Sequence, residues 1–206
     1  MSKTDIQKNR NKTVVISGST SGLGKEMSIE FAKRGWVVAG FGKTKSKVDE
    51  MTKIMGVKHQ IKECDVSCNK SVKSFSENII KKLGVPNLLI NNAAVMNTPK
   101  PLWEVPKEEF DYLTQVNING VANMVRHFLP SMLEKREGLS GALAQELPQG
   151  MGCIALNPGV IDTDMLRKCW GNGAELYQKP GEWAKLAVPF IESLTHQDNG
   201  KQMSAP

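Results

Sequence analysis

A β-branched run, Thr13 to Ser17 (T-V-V-I-S), passes directly into Gly18-Ser19-Thr20-Ser21-Gly22-Leu23-Gly24 and then into an amphipathic segment that ends at Gly35. No other feature restricts the fold as much. A buried strand that turns on glycines into a helix leaves the helix N-terminus, with its unpaired N–H groups and partial positive charge, facing whatever sits above the turn. Glycines there let the backbone approach an anion closely, and a pyrophosphate fits that geometry. Glycines also serve ordinary tight turns, so the string draws its force from its place between a strand and a helix.

From residue 13 onward short apolar runs alternate with longer amphipathic ones, the pattern of β-α-β units feeding a parallel sheet. Strands are expected at Trp36 to Phe41, Lys58 to Cys64 and Asn87 to Asn91, and helices at Gly22 to Arg34, Lys45 to Met55 and Ser67 to Leu83. Pro106 starts a long helical stretch that reaches about Arg136, with apolar spacing at Val121, Met124, Val125, Phe128 and Leu129. After Gly138 the alternation fails. Leu139 to Leu147 reads as a short helix with no strand before it, and only then comes the apolar run Met151 to Leu156.

The 206 residues suffice for one core, and they read as one domain, residues 13–206, behind a polar tail of residues 1–12. That tail has no apolar stretch of the kind a secretory signal needs, and no run approaches the roughly 20 apolar residues of a membrane span, so a cytoplasmic protein is expected. The four cysteines form no Cys-x-x-Cys pair and the three histidines stand apart from one another and from acids at ligand spacing, so no metal site is expected. The net charge of +6 is spread along the chain without interleaved aromatics, which speaks for a solvated basic surface rather than a nucleic-acid partner. One cluster stands out by position: Lys43, Lys45 and Lys47 follow the second strand, which ends in Gly40-Phe41-Gly42 without an Asp or Glu.

Further strings follow in order: Cys64-Asp65-Val66, Asn91-Asn92-Ala93-Ala94, Asn117 within Q-V-N-I-N-G, and Asn157-Pro158-Gly159-Val160-Ile161-Asp162-Thr163. Together with the glycine turn they resemble the short-chain dehydrogenase/reductase family over nearly the whole chain. The resemblance implies an α/β fold, a Rossmann-type doubly wound parallel sheet in a single domain, here shortened by one strand and part of a helix. It also implies that Gly18, Thr20, Ser21, Gly22, Leu23 and Gly24 cradle a dinucleotide pyrophosphate. Asp65 would take the adenine amino group and the Val66 N–H a ring nitrogen, although an Asp before a helix also serves as a cap. Asn92 and Ala93 would line the ribose, with Ala94 replacing the family's usual Gly. Asn117 matches the helix Asn that holds a water and a backbone kink beside the catalytic centre, and it is the one catalytic candidate present. Pro158 and Gly159 would cover the nicotinamide, with Thr163 near the carboxamide and pyrophosphate.

Without an acidic residue to hold a ribose 2′-hydroxyl, NAD is disfavoured. Lys43 falls where NADP-using relatives carry a cation, so NADP (NADPH) is the expected cofactor. Within the family the strings Gly120-Val121-Ala122-Asn123, Arg126-His127-Phe128-Leu129-Pro130 and Leu176-Tyr177-Gln178 resemble a pterin aldehyde reductase-like branch, which implies a small carbonyl substrate. Trp103, Trp170 and Trp183 are either platforms for a flat ring or ordinary core residues.

The departure from the family is as informative. A Tyr-x-x-x-Lys pair, in which Tyr protonates the carbonyl oxygen and Lys one turn later lowers its pKa, belongs on the helix after a fifth strand ending in Ser. The chain has two tyrosines, Tyr112 and Tyr177, and four residues beyond them lie Val116 and Gly181. The block that should hold strand, Ser and pair is missing between Gly138 and Leu139, and Ser140 is read as structural. Three readings stay open: an impaired NADP-dependent carbonyl reductase, a non-enzymatic NADPH-binding protein, or the product of a shortened message or mis-joined gene. Met151 to Leu156 is expected to move beside the fourth strand and fill the vacated slot, since an open edge invites aggregation. The remnant face Leu139, Leu143, Leu147 points to a monomer or loose self-association.

Overall fold

A computed structural model describes residues 12–135, 147 and 150–206. β1 (Thr13–Ser17) and β2 (Val37–Gly42) are buried along their whole length. Helices covering both faces of a parallel sheet demand this, and it is why both strands read as continuous apolar runs. β1 pairs in parallel with β2 on one side and with β4 (Leu88–Ile90) on the other, in register Val14 to Leu88, Val15 to Leu89 and Ile16 to Ile90. β2 pairs with β3 (Gln60–Glu63), giving the order β3-β2-β1-β4. Between these strands run α1 (Gly22–Lys33), α2 (Lys45–Met55) and α3 (Asn69–Leu83).

The period of two along β1 divides the core. Val15 faces Phe41, Phe75, Leu89, Met124 and Phe128 on one side of the sheet. Val14 and Ile16 face Phe31, Trp36, Met51, Trp183 and Val188 on the other. The long helical stretch is realised as α4 (Lys107–Thr114), a single π-helical segment (Gln115–Asn119) and α5 (Gly120–Lys135). The π segment is the kink expected around Asn117.

The slot beside β4 is where the structure departs from expectation. Met151 to Leu156 does not move next to β4. Only β5 (Ala155–Asn157) is a strand there, and it pairs in parallel with β6 (Gln202–Ser204) in a separate two-stranded sheet. Ala155 N–H donates to the Lys201 carbonyl at 3.0 Å, Ala205 N–H to that of Asn157 at 2.9 Å, and Gly200 N–H to that of Cys153 at 2.7 Å. Two further helices, α6 (Asp164–Trp170) and α7 (Pro180–Ser193), lie between these strands. α7 buries Trp183, Ala184, Ala187 and Val188 against Val14, Ile16 and Phe31. Its Glu192 accepts from Arg34 Nε at 2.6 Å and Trp36 Nε1 at 2.5 Å.

The helix expected at Leu139 to Leu147, with Ser140, lies outside the described residues except for Leu147, which packs against the Val15–Phe75–Phe128 core. Helices α6 and α7 and strand β6 are elements that the sequence reading did not place. Among the described residues no helix is long and apolar enough to cross a membrane.

Candidate functional site

The cradle is built from the end of β1. Ser17 Oγ accepts the N–H groups of Asn92 at 2.9 Å and Ala93 at 3.0 Å, while the Asn92 carboxamide donates to the carbonyls of Ser17 at 2.9 Å and Gly18 at 3.2 Å. These bonds tie the loop after β4 to the glycine turn. They leave no room for side chains: a Cβ on Gly18, where φ is +67°, would stand 2.9 Å from Ala93 Cα, and one on Gly24 would stand 2.2 Å from the Gly18 carbonyl oxygen. Behind, the turn is closed. In front, Ser21 at the N-cap of α1 makes no side-chain capping hydrogen bond, so the first N–H groups keep their capacity for an external acceptor.

Thr163 faces this turn, its Cγ2 3.8 Å from where a methyl on Gly22 would lie. It also caps α6 by accepting from Leu166 N–H at 3.3 Å. The loop that carries it is pinned by Asp162, buried, which accepts from Arg167 Nε at 2.7 Å and Nη2 at 2.9 Å and pairs with Lys179. The Arg167 hydrogen bonds first, and then that of Lys179, hold the Asp162 carboxyl well below the usual carboxylate range. In the sequence the only signal of this part is an acid followed by cations at positions 167 and 179. For Ser17, the keystone, the signal is its place closing a β-branched strand before Gly18.

One cavity of about 930 Å³ runs along the sheet's C-terminal ends and down the flank of β4, where Leu88, Ile90, Ile154 and Ile191 border it. Gly18, Thr20, Ser21 and Leu23 border it at the turn, and Asn92, Ala93, Pro158 and Thr163 border it farther on. Lys43, Asp65 and Val66 border it at the remaining end. Gly22, Gly24 and Gly159 shape the walls without lining it. Asn117 does not line it either. Its Oδ1 accepts the Val95 N–H and its Nδ2 donates to the Val95 carbonyl, both at 2.8 Å, so its amide staples the loop after β4.

At the basic end Lys43 Nζ is 2.8 Å from an Asp65 carboxylate oxygen and 5.2 Å from the centre of the Tyr112 ring. The Asp65 hydrogen bond and charge hold the Lys43 ammonium above its ordinary value. Partial burial pushes the Asp65 carboxyl up, but hydrogen bonds from Lys43 and Ser67 outweigh it and leave it below its ordinary value. Asp65 Oδ1 accepts the Ser67 N–H at 2.9 Å and hydroxyl at 2.6 Å, closing the turn before α3 rather than capping that helix, whose N-cap is Cys68, and Asp65 also borders the cavity. Among the described residues, both amide atoms of Asn91, and Trp183 Nε1, are buried without partners and belong to residues lining the same cavity.

These features fit a dinucleotide: an uncapped helix end behind a turn that excludes side chains, a cation at one end, and unpaired amide atoms on residues of the same cavity. The other candidates play structural parts. Trp183 is a core residue, Trp103 is exposed, and Trp170 meets the Tyr177 ring edge-on at 5.1 Å. Burial pushes the Cys64 thiol up to about 11, which leaves it unreactive.

Comparison with known proteins gives the family and the fold. The sequence model described as short chain dehydrogenase matches residues 12–140. The chain is 37% identical over 224 residues to the NADPH-dependent pterin aldehyde reductase of Arabidopsis thaliana, covering 94% of this chain and 93% of that protein. Since 94% of 206 residues is about 194, roughly 30 aligned positions of that relative have no counterpart here. Among solved structures, the fold is similar to 3-ketoacyl-(acyl-carrier-protein) reductase from Brucella melitensis complexed with NADH, with a TM-score of 0.82 at 24% identity over 94% of this chain and 96% of that one. It is also similar to a short chain dehydrogenase from Shigella flexneri complexed with NADP, with a TM-score of 0.79 at 15% identity over 95% and 97%. The chain belongs to the short-chain dehydrogenase/reductase family.

Proposed function

We propose that this chain binds NADPH in the cavity above the glycine turn and does not reduce carbonyl compounds at rates usual for the family. The carrying observation is the contrast between an intact cradle, knitted by Ser17, Asn92 and Ala93, and a chain whose two tyrosines both serve elsewhere. Tyr112 stands over Lys43 at the basic end and Tyr177 packs on Trp170. Neither is followed at four residues by Lys.

The N–H groups that open α1 would receive the pyrophosphate, Lys43 the 2′-phosphate, Asp65 and Val66 the adenine, and Asn92 and Ala93 the ribose. Pro158, Gly159 and Thr163 would close over the nicotinamide end. When bound, NADPH supplies a hydride for a carbonyl carbon. The protein must then supply a proton to the developing alkoxide, and neither tyrosine has the Lys one helical turn later that would make it the donor. Loss of a general acid alone costs about 10²- to 10⁴-fold, and loss of the orienting Ser adds to it. The roughly 30 positions without counterpart match the length of a strand, a loop and much of a helix. The relative's name supports an aldehyde as the substrate class by descent.

NADPH fluorescence titration of the 206-residue chain tests this, alongside steady-state NADPH oxidation with an aromatic aldehyde. Saturable binding is expected, weakened about 10- to 100-fold by Lys43→Glu, because a charge-assisted hydrogen bond is replaced by repulsion. No turnover above the uncatalysed background is expected. Ordinary reductase rates would overturn the assignment. Sequencing transcripts across Gly138 and Leu139 separates a working NADPH-binding protein from the product of a shortened message.

A further inference from the structure

We propose that Tyr112 is a positioning residue for cofactor choice, holding the Lys43 ammonium where a 2′-phosphate must meet it and so raising the preference for NADPH over NADH. The inference rests on the NADPH reading above. Three separate elements converge on this point: Lys43 follows β2, Asp65 follows β3, and Tyr112 sits on α4. Lys43 and Tyr112 are both substantially exposed, at 60% for the Lys side chain and 40% for Tyr112, and both line the cavity. A lysine so exposed would ordinarily sample many rotamers. Here a carboxylate at 2.8 Å and a ring face at 5.2 Å fix its ammonium at the cavity wall.

The two contacts differ in what they do when a phosphate arrives. Asp65 is an anion, so it competes with the phosphate for Lys43 and repels it across a short gap. The Tyr112 ring attracts the ammonium through the negative face of its π system and brings no net charge. It therefore keeps holding Lys43 once the phosphate has displaced the carboxylate. NADH presents a hydroxyl at that position and gains little from an oriented cation. The contribution of Tyr112 thus belongs to the 2′-phosphate and not to the shared remainder of the cofactor. Lys47 and Thr44 also border this end, but no contact aims either of them at Lys43.

The test is the ratio of NADH to NADPH dissociation constants, measured by fluorescence titration for the parent chain, Tyr112→Leu, Tyr112→Phe, and Tyr112→Leu in a Lys43→Gln background. Thermal melts check that each variant folds. Tyr112→Leu should weaken NADPH about 2- to 5-fold while leaving NADH unchanged, the range expected of an exposed cation–π contact. Tyr112→Phe, which keeps the ring and removes only the hydroxyl near Lys43, should retain most of the parent ratio, and in the Lys43→Gln background Tyr112→Leu should change neither constant. Equal losses for both cofactors, a loss that persists without Lys43, or Tyr112→Phe behaving like Tyr112→Leu would overturn the inference while NADPH binding stood. A parent chain that fails to bind NADPH would overturn the functional reading itself, and this inference with it.

Discussion

β1 and β2 are buried at every residue, whereas β5 runs exposed, half-buried, exposed, and β4 is fully buried only at Leu89. The first pair lies inside a four-stranded sheet with helices on both faces; β5 has β6 as its partner in a second sheet. The two regions differ in what closes them. The nucleotide half is completed by contacts between consecutive β-α units, such as the bonds from Ser17 to Asn92 and Ala93. β5 and β6 are tied to each other and, among the described residues, to no strand of the four-stranded sheet. The bonds that knit the glycine turn draw on β1 and the loop after β4, and on nothing from β5 or β6.

The sharpest way to break that contrast is to compare one glycine from each half. Gly24→Ala puts a methyl 2.2 Å from the Gly18 carbonyl oxygen and 2.4 Å from Asn92 Nδ2, with backbone on one side that has nowhere to move. The expected cost is about 3 kcal/mol, the upper end for overpacking, together with loss of NADPH binding. Gly159→Ala meets nothing within 4 Å and is strained only by its φ of +77°, for about 1 kcal/mol and a modest loss of affinity. Thermal melts and NADPH titration of both variants check this. Equal effects would mean that the two halves are equally rigid.

Asn91 sharpens the comparison, since it closes β4 at the border between the halves with both amide atoms buried and, among the described residues, unpaired. An unsatisfied buried amide is a liability, so Asn91→Leu should raise stability by about 1 kcal/mol in denaturant unfolding. If the variant is destabilised instead, the amide has partners in solution and this edge is better closed than β4 alone suggests.

The smallest effect concerns pH and belongs to the nucleotide half. His59 Nδ1 accepts the Val38 N–H at 3.0 Å, so the ring must be neutral at that nitrogen. Burial and then the Lys58 charge hold its pKa below the ordinary 6.5, and burial followed by Arg126 does the same for His127. A depressed imidazole binds fewer protons when folded than when unfolded. Its stabilisation is therefore complete above pH about 6.5 and is lost as the pH falls from there through the lowered folded value. Urea midpoints should decline gently over that window, and His59→Gln should flatten part of the decline. A midpoint that rises on acidification would contradict the assignment.

What was legible in the chain was what neighbours in sequence decide. T-V-V-I-S before a glycine turn announces a buried strand leading into an open helix end, and the structure keeps both within a residue or two. The element order up to the long helix, the place of Lys43 after β2, and the lack of any Tyr-x-x-x-Lys were readable for the same reason. Strand β6 was not, because Gln202-Met203-Ser204 offers a single apolar residue, too short a pattern to announce a strand, and is a strand through its pairing with Ala155–Asn157. Nor was the partner of β5, since β6 lies far along the chain and the bonds that join the two are long-range. Local pattern governs turns, caps and helices through bonds a few residues long. Which edge a short strand joins, and which carboxylate and ring enclose a lysine, are settled by the long-range packing of surfaces that no stretch of sequence displays together.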